Sequence, residues 1–101
     1  MIVYNITTQV HPAIEKEWNE WQKKEIIPAI LTKANFYDHK FFRLLETDDT
    51  DGITYVTQFF SETIEEYKNF IDRFAAFFRE QAIQKWNDQF VSFETVMETV
   101  N

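Results

Sequence analysis

The feature that most constrains this chain is the order in which two hydrophobic periods succeed each other along it. Residues 2–10, IVYNITTQV, are β-branched and aromatic with partial alternation, which fits a strand. His11-Pro12 stops that strand. Pro12 suits the first turn of a helix, where its missing N–H would have no partner in any case. Ile14, Trp18, Trp21 and Glu25 or Ile26 then recur at spacings of three and four, one stripe on one helical face. Glu15, Lys16, Glu17, Glu20, Lys23 and Lys24 between them form a solvated face. Pro28 interrupts the stripe and pushes Ile27 toward extended geometry. A kink or break is expected there, then a short helical segment over residues 28–31. Residues 36–46 (FYDHKFFRLLE) and 53–60 (ITYVTQFF) read as two strands. The acidic turn from Asp48 to Gly52 joins them as an antiparallel hairpin. Thr63-x-x-Glu66 fits a capping box, and Ile64, Tyr67, Phe70, Ile71, Phe74 and Phe78 form the buried stripe of a second helix. A broken continuation runs through Ala82 and Trp86, Asn87-Asp88 ends it, and residues 90–100 make a fourth strand.

The order is β-α-β-β-α-β. This is the ferredoxin-like unit of the α+β class, a four-stranded antiparallel sheet with both helices on one face. With 101 residues and 12.2 kDa, a single domain over residues 1–101 is expected. Helices can cover only one sheet face. A wet second face should alternate cleanly between apolar and polar residues, yet both faces of the predicted strands are half apolar. The expectation is a homodimer, with a second copy covering the open face.

Composition removes whole classes of function. Cysteine is absent, which excludes disulfides, thiolate catalysis and Cys-ligated metals. The single glycine, Gly52, excludes phosphate-cradling loops and dinucleotide fingerprints. A net charge of -7 with ten scattered basic residues argues against nucleic acid. No apolar run approaches membrane-spanning length and the start resembles no targeting signal, so a cytoplasmic protein is expected.

Several residue patterns point to a family. The opening I-V-Y-N-I-T with its H-P, the spacing Trp18-x-x-Trp21, Ile27-Pro28 and Arg43-Leu44-Leu45 are among them. So are Ile53-Thr54-Tyr55-x-x-Gln58-Phe59-Phe60 and Phe90-Val91-x-Phe93-x-Thr95-Val96-Met97. Together they resemble a family of short bacterial proteins classed as a domain of unknown function, near the dimeric α/β barrel superfamily. The resemblance covers nearly the whole chain and implies two ferredoxin-like protomers with sheets pressed together. It implies no activity.

His11 and His39 are the only histidines. His11, at the strand-to-helix junction, reads better as an ordering residue for the turn than as an acid or base. His39 follows Asp38, and strand neighbours point to opposite faces, so the two cannot form a dyad. No metal-ligand spacing is present, and neither a metal nor a cofactor is expected. Ser61 and Ser92 lie outside G-x-S-x-G, and Ser61 reads as a helix cap. Trp18 and Trp21 read as core. Two functional classes stay open. One is a binding module without catalysis that takes a small ligand or partner. The other is a cofactor-independent enzyme, oxygenase-like or isomerase-like, with a pocket between helices and sheet lined by Asn5, His39, Arg43, Tyr55 and Gln58. Some members of the superfamily that the chain resembles are cofactor-free oxygenases, and Asn5 is similar to an asparagine that some of them carry on the first strand. The lack of Cys, Gly loops, paired acids and metal ligands favours the binding module.

Overall fold

The fold is described from a computed structural model of residues 1–101. Strand β1 (Ile2–Val10) takes the bounds its β-branched pattern predicts. It lies inside the sheet, whose order is β2-β3-β1-β4 with β2 (Asp38–Arg43), β3 (Ile53–Ser61) and β4 (Phe90–Glu98). All three pairings are antiparallel. Val10 stands opposite both Ile53 and Phe90, and Ile2 opposite both Ser61 and Glu98. The ferredoxin-like order expected from the sequence is therefore the one observed. No helix is long and apolar enough to cross a membrane.

Pro28 does not break the first helix. α1 (Glu15–Trp21) runs through a π-helical turn, Gln22–Ile26, into α2 (Ile27–Lys33). Ile27 is helical, with φ -59° and ψ -48°, and its N–H donates to the carbonyl of Gln22. The wider turn takes up the misfit that a ring without an N–H creates inside a helix. Pro28 then sits in the first turn of α2, where no donor is needed. The second helix behaves alike. α3 (Ile64–Phe70) starts at Thr63, whose hydroxyl accepts from the Glu66 N–H at 3.4 Å. A π-helical turn, Ile71–Ala75, joins it to α4 (Ala76–Trp86). The expected break is thus a continuous helix with one wide turn. The extra residue moves Ala75 rather than Phe74 onto the buried face.

Both helices pack on the face carrying Tyr4, Tyr55 and Phe59. Trp18 and Trp21 are buried there as expected, at 2% and 9% exposure. Aromatic rings tile this layer: Trp18 lies 5.1 Å from Tyr55, Phe36 lies 5.3 Å from Phe59, and Trp21 meets Trp86 edge-on at 5.7 Å. Phe36 is drawn into this cluster, so β2 starts at Asp38, and after Arg43 the chain leaves the sheet. The strand expected over 36–46 is shortened at its start for that reason, and it also ends early, at Arg43. Gly52 holds the hairpin against the end of β1. A Cβ at this position would lie 2.6 Å from the Val10 carbonyl oxygen, so no larger residue fits.

The opposite sheet face carries no layer of its own. Phe42, Val91, Phe93 and Met97 are 44% to 67% exposed on it. They surround a polar centre in which Gln58 Nε2 donates to Asn5 Oδ1 at 3.1 Å.

Candidate functional site

Between the two helices and the sheet lies a cavity of about 280 Å³. Its floor comes from alternate residues of three adjacent strands: Tyr4, Ile6 and Thr8 of β1, Thr57 and Phe59 of β3, and Phe90, Ser92 and Glu94 of β4. Register explains the grouping. Thr8 stands opposite Ser92 and Ile6 opposite Glu94, so one sheet face gathers them all. The walls come from Trp18, Gln22, Ile26 and Ile30 on the first helix and from Phe70, Ala75, Phe78, Arg79, Ala82 and Ile83 on the second. Gln22, Ile26 and Ala75 belong to the two π-helical turns. Both wide turns therefore border the same space, a placement common for such turns at functional sites. Twelve of the 18 lining residues are hydrophobic, so the cavity suits a largely apolar molecule with few polar groups.

The polar groups are concentrated along the β4 side. The Tyr4 hydroxyl donates to Glu94 Oε1. Arg79 Nη2 donates to Glu94 Oε2 at 3.1 Å. Beside them the Thr8 and Ser92 hydroxyls share a hydrogen bond of 2.8 Å. Burial, first, and the hydrogen bond to the neighbouring carboxylate, second, push the Tyr4 phenol above the ordinary tyrosine range. Tyr4 is therefore a neutral donor at physiological pH. It holds one oxygen of Glu94 while Arg79, half-exposed, holds the other from the solvent side. A carboxylate offers about four acceptor positions, and these two contacts use two of them.

The five residues expected to line one pocket are not brought together. Asn5 and Gln58 face each other across β1 and β3, bonded to one another on the open side of the sheet. His39, Arg43 and Tyr55 lie on the helix side, because Arg43 pairs with Tyr55 and His39 with Phe59. Arg43 reaches Asp49 at 3.5 Å on the surface. Tyr55 donates to Glu15 and accepts from Asn19 Nδ2 at 3.0 Å, outside the cavity lining. Its phenol is also pushed up, by burial and then by the Glu15 contact. The reason for the split is the strand period of two. Tyr55 and Gln58 differ by an odd number of residues and must point to opposite faces. His11 Nδ1 accepts from the Ala13 N–H at 3.0 Å and so orders the turn.

The sequence reading missed Tyr4, Arg79 and Glu94 as a group. A signal existed: Glu94 is a carboxylate between Phe93 and Val96 in an otherwise β-forming run. It gained meaning only once β4 was aligned with β1.

Fold and cavity together define a ferredoxin-like α+β protein with a helix-to-sheet pocket. The chain belongs to the family described as a domain of unknown function, DUF4286, whose pattern it matches over residues 1–100. No curated protein matches it in sequence. Solved structures share the fold at low identity. A Deinococcus radiodurans protein named as a candidate antibiotic biosynthesis monooxygenase superposes with a TM-score of 0.75 at 9% identity, covering 100% of this chain and 94% of that one. SnoaB, a cofactor-independent oxygenase from Streptomyces nogalater, gives 0.66 at 13% identity, covering 99% and 93%. A dimeric ferredoxin-like protein from an uncultured marine organism gives 0.64 at 12% identity, covering 100% and 96%.

Proposed function

We propose that this protein is a homodimeric, cytoplasmic small-molecule-binding module. In this reading it works as one domain over residues 1–101, holds its ligand between helices and sheet, and meets its second copy through the open sheet face. The observation that carries the reading is the 280 Å³ cavity, apolar on most sides, with an ordered Tyr4–Glu94–Arg79 cluster at one edge. A pocket with few convergent polar groups is the usual form of a small-molecule site. The exposed Phe42 on one edge strand and Val91, Phe93 and Met97 on the other support the dimer, since large apolar side chains left open on a sheet face mark an interaction surface. Native mass spectrometry of the purified protein tests both parts. The expected result is twice 12.2 kDa, with a small organic molecule released on denaturation. A monomer that binds no apolar probe contradicts the reading.

A second reading, cofactor-independent catalysis in the same cavity, is favoured by one observation. Glu94 lines the rim of the cavity, partly open to solvent, and keeps acceptor positions beyond those used by Tyr4 and Arg79. Glu94 with the Tyr4 phenol can take a proton from a bound substrate and hydrogen-bond the anion that forms. The likeness of fold to SnoaB is consistent with this chemistry. Oxygen uptake with hydroxylated aromatic probes, abolished in Glu94→Gln, is the expected signature. Binding without turnover under air leaves the module as the correct reading.

A further inference from the structure

The geometry points to Glu94 as the residue that sets the ligand class. We propose that the cavity takes a ring-bearing molecule of one or two rings with a hydroxyl or amine donor, and discriminates against the corresponding carboxylic acid. This rests on the ligand-binding reading above.

Size comes first. A space of about 280 Å³ lies just under the usual range of small-molecule sites, which starts at about 300 Å³. That admits a one- or two-ring molecule. The ring environment comes next. Trp18, Phe59, Phe70 and Phe78 line one part of the cavity and offer faces and edges to a flat apolar ligand.

The polar edge decides the rest. Arg79 is the only cationic residue in the lining and Glu94 the only anionic one, and they are already paired at 3.1 Å. A ligand carboxylate would therefore meet a carboxylate whose balancing charge is spoken for, and like charges brought together are costly. A ligand O–H or N–H meets the opposite situation. Glu94 retains acceptor capacity, and a donor to an ionised oxygen makes the stronger kind of hydrogen bond. Thr8 and Ser92, bonded to each other at 2.8 Å, supply neutral groups alongside. They do not favour an anion over a neutral ligand.

The substitution Glu94→Gln separates charge from shape. The amide oxygen still accepts from Tyr4, while Arg79 loses its ion pair and becomes available to a ligand carboxylate. The experiment titrates naphthalene, 2-naphthol and 2-naphthoate into the unaltered protein and into Glu94→Gln, read by calorimetry and by tryptophan fluorescence. In the unaltered protein 2-naphthol should bind at least about tenfold more tightly than 2-naphthoate. In the variant 2-naphthol should weaken by about five- to tenfold and 2-naphthoate should strengthen, inverting the order. A structural role for Glu94 would lower all three affinities together. Equal binding of 2-naphthol and 2-naphthoate to the unaltered protein, or an order unchanged in the variant, overturns the assignment while naphthalene binding leaves the cavity reading intact. Failure of all three probes overturns both. If the variant does not fold, the ratio in the unaltered protein decides alone.

Discussion

Replacing Trp18 by alanine separates a packing role from a ligand-gripping role. Trp18 is 2% exposed and its ring lies 5.1 Å from that of Tyr55 and 6.1 Å from that of Phe41. It thereby ties the first helix to β2 and β3. Truncating a buried tryptophan costs on the order of 3–5 kcal/mol. One side of Trp18 already borders the cavity, so some of its surface has no protein atoms to lose. The lower end, about 3 kcal/mol, is therefore expected. For a chain of this size each kcal/mol moves the melting temperature by roughly 4–8 °C, which gives a fall of about 12–24 °C. Urea unfolding followed by far-ultraviolet circular dichroism gives the free energy, and calorimetry gives the temperature. A variant with unchanged melting temperature that has lost ligand binding would refute the packing argument and make Trp18 part of a binding box.

Other expectations follow from single contacts. Tyr4→Phe removes the buried donor to Glu94 and should destabilise by about 1–2 kcal/mol, since Glu94 keeps Arg79 and some solvent; a neutral result in chemical denaturation would contradict the contact. Tyr4 and Tyr55 both have phenols pushed above the ordinary value of 10.0 in the folded state. The folded chain therefore holds these protons more tightly than the unfolded one, so stability is full below about pH 10 and declines as pH rises beyond it; a flat or rising profile from pH 9 to 11.5 would be inconsistent. If the open face carries the proposed dimer, Phe93→Asp should give a folded monomer by light scattering where the unaltered protein gives twice 12.2 kDa, and an unaffected dimer would move the interface elsewhere. With a charge of -7 and basic residues scattered, anisotropy titration with a mixed-sequence oligonucleotide should show no binding at physiological salt. Micromolar affinity that falls steeply with added salt would count against this.

The architecture was largely legible in the residues, because local chemistry carries it. β1 over 2–10 and the Thr63 cap follow from patterns that the structure leaves unaltered. The helical continuity through Pro28 was not legible. Proline rules predict a break, and only the burial of Ile26, Ile27 and Ile30 on one core face makes a π-helical turn the better solution. The site was legible least. A cavity edge formed by Tyr4, Glu94 and Arg79 joins residues up to 90 apart in sequence. It depends on the β1–β4 register and on which sheet face the helices choose, and neither is written in any one segment. Asn5, His39, Arg43, Tyr55 and Gln58 looked convergent because polar residues on strands attract notice. The period of two then sends them to opposite sides.

Filling the cavity shows whether the space between helices and sheet binds a ligand. Ala82 lines it from the second helix and is only partly buried, so Ala82→Phe can occupy the space without displacing a core residue. Calorimetric titration of naphthalene into the unaltered protein and into Ala82→Phe is the measurement. Saturable binding to the first is expected, with loss of that binding in a variant whose melting temperature is unchanged or higher. Equal binding to both proteins, or none to the unaltered one, would contradict it.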